Sequence, residues 1–217
     1  MTQSLDLSHG EFAALVAKAF RGVGYSWGLT EDAAFAAGRL AEAGLASAAS
    51  VVRLLRAVDG TPVAERMPNP DWSANSAPLC PICVGTAIVD GGAIGRGRDA
   101  NEQFTIGRTV EPLLIAPFLS TMAAVDKPGS GFDLEWGAAS CLVSSAAITL
   151  LGTPPPDPTT VTIRTATDGP RTGPSLGRVR VTDADFGALE RYAHRVYAPA
   201  TDASRSAGAG AGATDND

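Results

Sequence analysis

Along the first sixty residues the apolar positions recur every three or four residues, the period of a helix with one face turned inward. Phe12, Leu15, Val16, Ala19 and Phe20 form the first such stripe. Ser8 and Glu11 stand ahead of it at capping-box spacing, and Gly22 and Gly24 close it. A second helix is predicted from Thr30, whose hydroxyl would cap a first turn carrying Glu31 and Asp32, to about Gly44. A third runs from about Ser47 to Val58 and buries Val51, Val52, Leu54, Leu55 and Val58. Three short amphipathic helices joined by short loops are expected to pack together.

The pattern then breaks. Residues 59–78, "DGTPVAERMPNPDWSANSAP", are polar and proline-rich and read as a linker or a long surface loop. Beyond them "VGTAIVDGG" and "FTIGRTV" read as short strands, and "EPLLIAPFLSTMAAV" as a helix beginning at Pro112 and broken near Pro117. "FDLEWG" alternates, with Phe132, Leu134 and Trp136 on one face and Asp133 and Glu135 on the other. "SCLVSSAAITLLG" fits a buried strand or a buried helix, the strand being preferred. "TTVTIRTAT" and "LGRVRVTD" both alternate, and the turn-forming "DGPRTGP" between them predicts an antiparallel pair. Thr182 and Asp185 open a last helix, with Phe186, Leu189, Tyr192, Ala193 and Val196 at helical spacing and Pro199 as its stop. The closing residues 200–217 are low in complexity and, alone, are expected to stay disordered. The class predicted is α+β: a three-helix unit over 1–58, a linker or loop over 59–78, an α+β body over 79–199 with a mixed or antiparallel sheet and a C-terminal helix, and a Gly/Ala-rich tail.

Composition narrows the function. The chain has 217 residues, 45% hydrophobic, enough for a sizeable core. Its formal charge of -6 and pI near 4.9 argue against a surface built to neutralise phosphates, so no nucleic acid is expected as a partner. No stretch has the length of a membrane span, and the opening "MTQSLDLSHGEF" lacks the basic start and apolar core of a secretory signal. A cytoplasmic protein is expected, in which three cysteines are thiols unless metal or catalysis intervenes.

Cys80 and Cys83 have the spacing used by zinc sites and thiol oxidoreductases. The β-branched run after Cys83 argues against a helix aimed at either sulfur, and zinc would need Cys141, His9 or His194, all distant in sequence. Buried, inert thiols are the plainer reading. In "DGGAIGRGRDANEQF" the glycines and the guanidinium groups of Arg96 and Arg98 suit an anion cradle, although the spacing matches no phosphate-binding motif, and a plain hairpin loop with solvated arginines is the plainer reading. Thr160, Thr162 and Arg164 share one strand face, and Arg178 and Arg180 share one face of the next. If those faces coincide, their donors converge on a carboxylate or on the acidic "TDND" ending; otherwise they are a solvated surface. His9 and His194 each fall on a helix surface, "PGSGF" around Ser130 reads as a turn, and Asp133 with Glu135 reads as the wet side of a sheet.

The stretch "LSHGEFAALVAKAFRGVGYSWGLTEDAAFAAGRLAEAG", then "LCPICVGTAIVD" and the closing "YAPATDASRSAGAGAGATDND" resemble a bacterial family named only as domain of unknown function 3726. The resemblance is most specific around "GYSWGL" and at the ending. It implies no activity or cofactor, and makes the tail part of the family's pattern. Two functions are therefore expected to compete. One is an enzyme or enzyme partner of bacterial metabolism that binds a small carboxylate or other anion. The other is a non-catalytic protein-binding or assembly subunit, or a homo-oligomer.

Overall fold

In the computed structural model the described residues are 3–91, 103–125, 130–166 and 172–197. Helix α1 (His9–Gly22) begins where its capping box predicts: the Ser8 hydroxyl accepts from the Glu11 N–H at 3.2 Å, and the Glu11 carboxylate accepts from the Ser8 N–H at 2.7 Å. Phe12, Val16, Ala19 and Phe20 are its buried stripe. Helix α2 (Trp27–Glu42) starts three residues earlier than the position of Thr30 suggests. Ser26 takes the cap position without a side-chain bond, while Thr30 is buried and donates back to the Trp27 carbonyl at 2.7 Å. Helix α3 (Ser47–Val58) has its predicted bounds and buries every apolar residue of its predicted stripe.

Residues 59–78 carry one short 3-10 turn, Val63–Arg66. This loop is anchored from within, because Arg66 is buried and its guanidinium donates to the Ala57 and Pro78 carbonyls and to Thr61 Oγ1. The next element corrects the sequence reading. "VGTAIVDG", residues 84–91, is no strand but most of helix α4 (Pro81–Gly91). Proline at the first helical position is a start signal, since its missing N–H would have no partner there anyway. Burial of Pro81, Ile82, Cys83, Val84, Gly85 and Ile88 then outweighs the β-preference of the branched side chains.

Strand β2 (Gln103–Thr109) leads to a 3-10 turn, Pro112–Ile115, and to helix α5 (Ala116–Val125). Pro117 does not break that helix: it occupies the first turn, where no backbone donor is required. Strands β3 (Gly131–Trp136), β4 (Ala139–Ser144) and β5 (Ile148–Leu151) come next, so the long apolar run is a strand pair with a turn inside it. Strand β6 (Thr159–Ala166) completes an antiparallel five-stranded sheet in the order β2-β6-β3-β4-β5. Phe132, Leu134, Trp136, Cys141, Val143, Val161 and Ile163 make its buried face, against which α5 packs.

The predicted pairing of "TTVTIRTAT" with "LGRVRVTD" does not form. Both edges of β6 are already taken, by β2 and β3, and strand β7 (Val179–Thr182) pairs instead with β1 (Ser4–Leu7), from Ser4 opposite Thr182 to Leu7 opposite Val179. A strand at "SLDL" escaped the sequence reading because it is short, polar and mostly exposed. Helix α6 (Asp183–Ala193) begins as predicted, the Thr182 hydroxyl accepting from the Asp185 N–H at 3.1 Å, and lies along α1. A continuous buried cluster runs from Phe12 through the sheet to Leu189. The architecture is α+β, with helices at the start, an antiparallel sheet and a late helix. Among the described residues no helix is long and apolar enough to cross a membrane.

Candidate functional site

The arginines proposed to converge do not all meet. Arg96 and Arg98 lie outside the described residues. Arg164 stands on the outer face of β6, opposite Asp133 of β3 and Gln103 of β2, and is already engaged, by Glu135 Oε1 at 3.0 Å and Gln103 Oε1 at 3.3 Å. Arg180 belongs to the separate β1-β7 ribbon and Arg178 immediately precedes it, so neither lies in the sheet that holds Arg164.

Arg178 and Arg180 do share a cleft of about 380 Å³ between β7 and the start of α3. Arg178 is steadied by donating to the Asp6 carbonyl at 2.7 Å, while Arg180 is exposed and reaches Asp6 Oδ1 only at 3.4 Å. No side chain caps the first turn of α3, because the cap position is held by Ala46, which has no side-chain acceptor; the buried Ser47 hydroxyl donates to the Ala37 carbonyl at 2.7 Å. The opening N–H groups of a helix carry partial positive charge, so this wall of the cleft favours an anion. Asp185, held by the Thr182 hydroxyl at 2.8 Å, adds one opposing charge.

The cysteines form a second constellation. Cys80 is the residue before α4, its carbonyl accepting from the Val84 N–H and its N–H donating to the Arg66 carbonyl, each at 3.0 Å. Cys83 sits one turn on. Contrary to the expectation from sequence, both sulfurs therefore stand at a helix N-terminus, and both are buried. Tyr25, wholly buried in the turn between α1 and α2 and packed edge-on against Phe20, stands beside the Cys80 sulfur, its hydroxyl short of a full hydrogen bond. Burial pushes the Cys80 thiol up, but the Cys83 thiol, the Tyr25 hydroxyl and the first-turn N–H groups outweigh it and bring it down to about 7. Cys83 moves the other way, first because its thiol bonds Cys80 and then because it is buried. Cys141 lies on β4 and is pushed up to about 12 by burial. Among the described residues no three His, Cys, Asp or Glu side chains gather as a metal site would need.

The remaining candidates are dispersed. His9 is tied by Nε2 to the Leu176 carbonyl at 2.7 Å. His194 lines another cleft, of about 390 Å³, between α1 and α6. The Ser130 hydroxyl bonds the Ala123 carbonyl at 3.5 Å. Asp133 and Glu135 face outward beside Arg164, as the alternation of their strand implies. Sequence reasoning missed Tyr25 and Arg66. The first falls within the distinctive "GYSWGL", but nothing in spacing tells that a loop tyrosine will be buried against a thiol.

A family model described as "Protein of unknown function (DUF3726)" matches residues 7–78, about a third of the chain. No curated protein and no solved structure matches. The matched segment covers the three front helices, including Tyr25, and the loop with Arg66, and ends just before Cys80. Residues 7–78 are thus a match to an uncharacterised domain, in line with the front part of the resemblance; the match does not extend to "LCPICVGTAIVD" or to the closing residues, which the resemblance also took in.

Proposed function

We propose that the protein binds a small carboxylate or other anion in the cleft between β7 and α3, as an enzyme or enzyme partner in the bacterial cytoplasm. The observation that carries this reading is the uncapped start of α3 facing Arg178 and Arg180 across one hollow. Three free, buried thiols suit a reducing compartment. Arg180 is the donor with spare capacity, and Asp185 favours an occupant that also carries a hydrogen-bond donor. A thermal-shift screen of organic acids tests the reading. A ligand at one hundred times its Kd adds about 2.7 kcal/mol to the folded state. For a chain of this size that raises Tm by roughly 5–10 °C. Arg180→Gln should abolish the shift while leaving the ligand-free Tm within about 1 °C, as its ion pair with Asp6 is exposed. Silence across the panel sinks the proposal.

One observation favours the alternative, a protein-binding or assembly subunit. Trp27 at the start of α2 is 68% exposed, with the Arg21 guanidinium 4.6 Å over its ring. Aromatic and arginine side chains of this kind anchor protein interfaces. Self-association that disappears in Trp27→Ala, measured by sedimentation, would support it.

A further inference from the structure

We propose that Cys80 and Cys83 form a peroxide-responsive dithiol, in which Cys80 is the attacking sulfur, Cys83 resolves it, and Tyr25 positions Cys80 for reaction. The Cys80 and Cys83 thiols bond each other across the first turn of α4, so the two sulfurs are already neighbours, as a disulfide requires. Cys80 occupies the position before the first helical residue, where a negative sulfur is favoured by the N–H groups of Ile82 and Cys83. The buried Tyr25 hydroxyl lacks a hydrogen-bond partner in the resting state, and a thiolate at Cys80 supplies the acceptor it wants. Arg66, buried nearby, adds positive charge toward the same hydroxyl. Cys141 has no such surroundings and serves as an internal control.

Burial selects the oxidant. Cys80 is 0% and Cys83 1% exposed, so neither sulfur meets solvent in the closed fold; oxidation proceeds through a local opening, and hydrogen peroxide needs a smaller one than a bulky disulfide. The Cys80 thiolate attacks one oxygen of hydrogen peroxide; the O–O bond breaks, and the departing hydroxide takes up a proton to leave as water. Cys80 is then a sulfenic acid. The Cys83 sulfur attacks it, the S–O bond breaks, and the hydroxyl leaves with the Cys83 proton as a second water. Two thiols have lost two electrons to one peroxide, and a small dithiol such as dithiothreitol reverses the step.

The test treats the native full-length chain with hydrogen peroxide and maps its cysteines by mass spectrometry. A Cys80–Cys83 disulfide should form ahead of oxidation at the exposed Met67, with Cys141 still a thiol, and dithiothreitol should restore it. Its rate should rise with pH to a plateau, with a midpoint below that of an ordinary free thiol. Cys83→Ser should accumulate a Cys80 sulfenic acid that dimedone traps, and Tyr25→Phe should move the midpoint upward without removing the reaction, an effect a purely structural tyrosine would not have. Because Tyr25→Phe can also loosen the core, the wild-type result decides the matter independently. Cys80 and Cys83 remaining thiols while Met67 oxidises would overturn the proposal. So would equal oxidation of Cys141, or oxidised glutathione reacting as fast as peroxide.

Discussion

Two aspartates sit in opposite electrostatic situations. Asp59 accepts both guanidinium nitrogens of Arg195, at 2.6 and 2.9 Å, and that bond holds its carboxyl below the usual range. A carboxyl depressed on folding adds stability above its unfolded value and loses it as pH falls through the folded one. The pair is largely exposed, so the gain is at most about 1 kcal/mol. Asp133 is raised instead, first by partial burial and then by Glu135, with Arg164 only partly compensating. Its folded form holds the proton more tightly, so it lowers stability at neutral pH and ceases to do so in acid. Urea unfolding should accordingly show Asp133→Asn equal to or slightly more stable than wild type at pH 7, with the difference vanishing toward pH 3. Asp59→Asn should be less stable at pH 7, by under about 1 kcal/mol. If Asp133→Asn proves markedly destabilising, the outer face of the sheet is held together by contacts other than these.

Among the elements, α4 and α5 approach at Gly85, where an added Cβ would fall 2.1 Å from Cδ2 of the buried Phe118 ring. Gly85→Ala should therefore destabilise by about 1–3 kcal/mol even though alanine is the better helix former. Pairing it with Phe118→Leu should recover part of that loss, a coupling measurable by a double-mutant cycle. The same contact marks the boundary of what is legible in the sequence. Where a segment is amphipathic and locally capped, as at Ser8 to Phe20 and Thr182 to Leu189, pattern and structure agree, because local bonds and one buried stripe decide the outcome. The alternating "FDLEWG" likewise gave its own faces away. Where a segment is buried on nearly every side, as at Pro81 to Ile88, period carries no information and tertiary packing chooses helix over the strand its residues prefer. Arg178 and Arg180 were legible as donors, but their surroundings depended on which strand β7 found, a long-range choice. The CxxC spacing was visible too; its helix was not.

At the scale of the molecule, the segment matched by the family model depends on the later two thirds of the chain. Helix α1 lies against α6, and so closely that a Cβ on Gly22 would fall 1.9 Å from the Tyr192 carbonyl. Helix α2 packs on α4, its Asp32 accepting the Thr86 hydroxyl at 2.9 Å. Expressed alone, residues 7–78 should lack a cooperative thermal transition, because these apolar faces would meet water. Circular dichroism and dye binding would show this, and a sharp melt near that of the whole chain would refute it. The β1-β7 ladder carries the same dependence into biosynthesis. Ser4 meets a residue, Thr182, that leaves the ribosome only after nearly all the intervening chain. Throughout translation the nascent front helices wait with part of their surface unclosed, and the final helix acts as a latch on whatever has formed behind it.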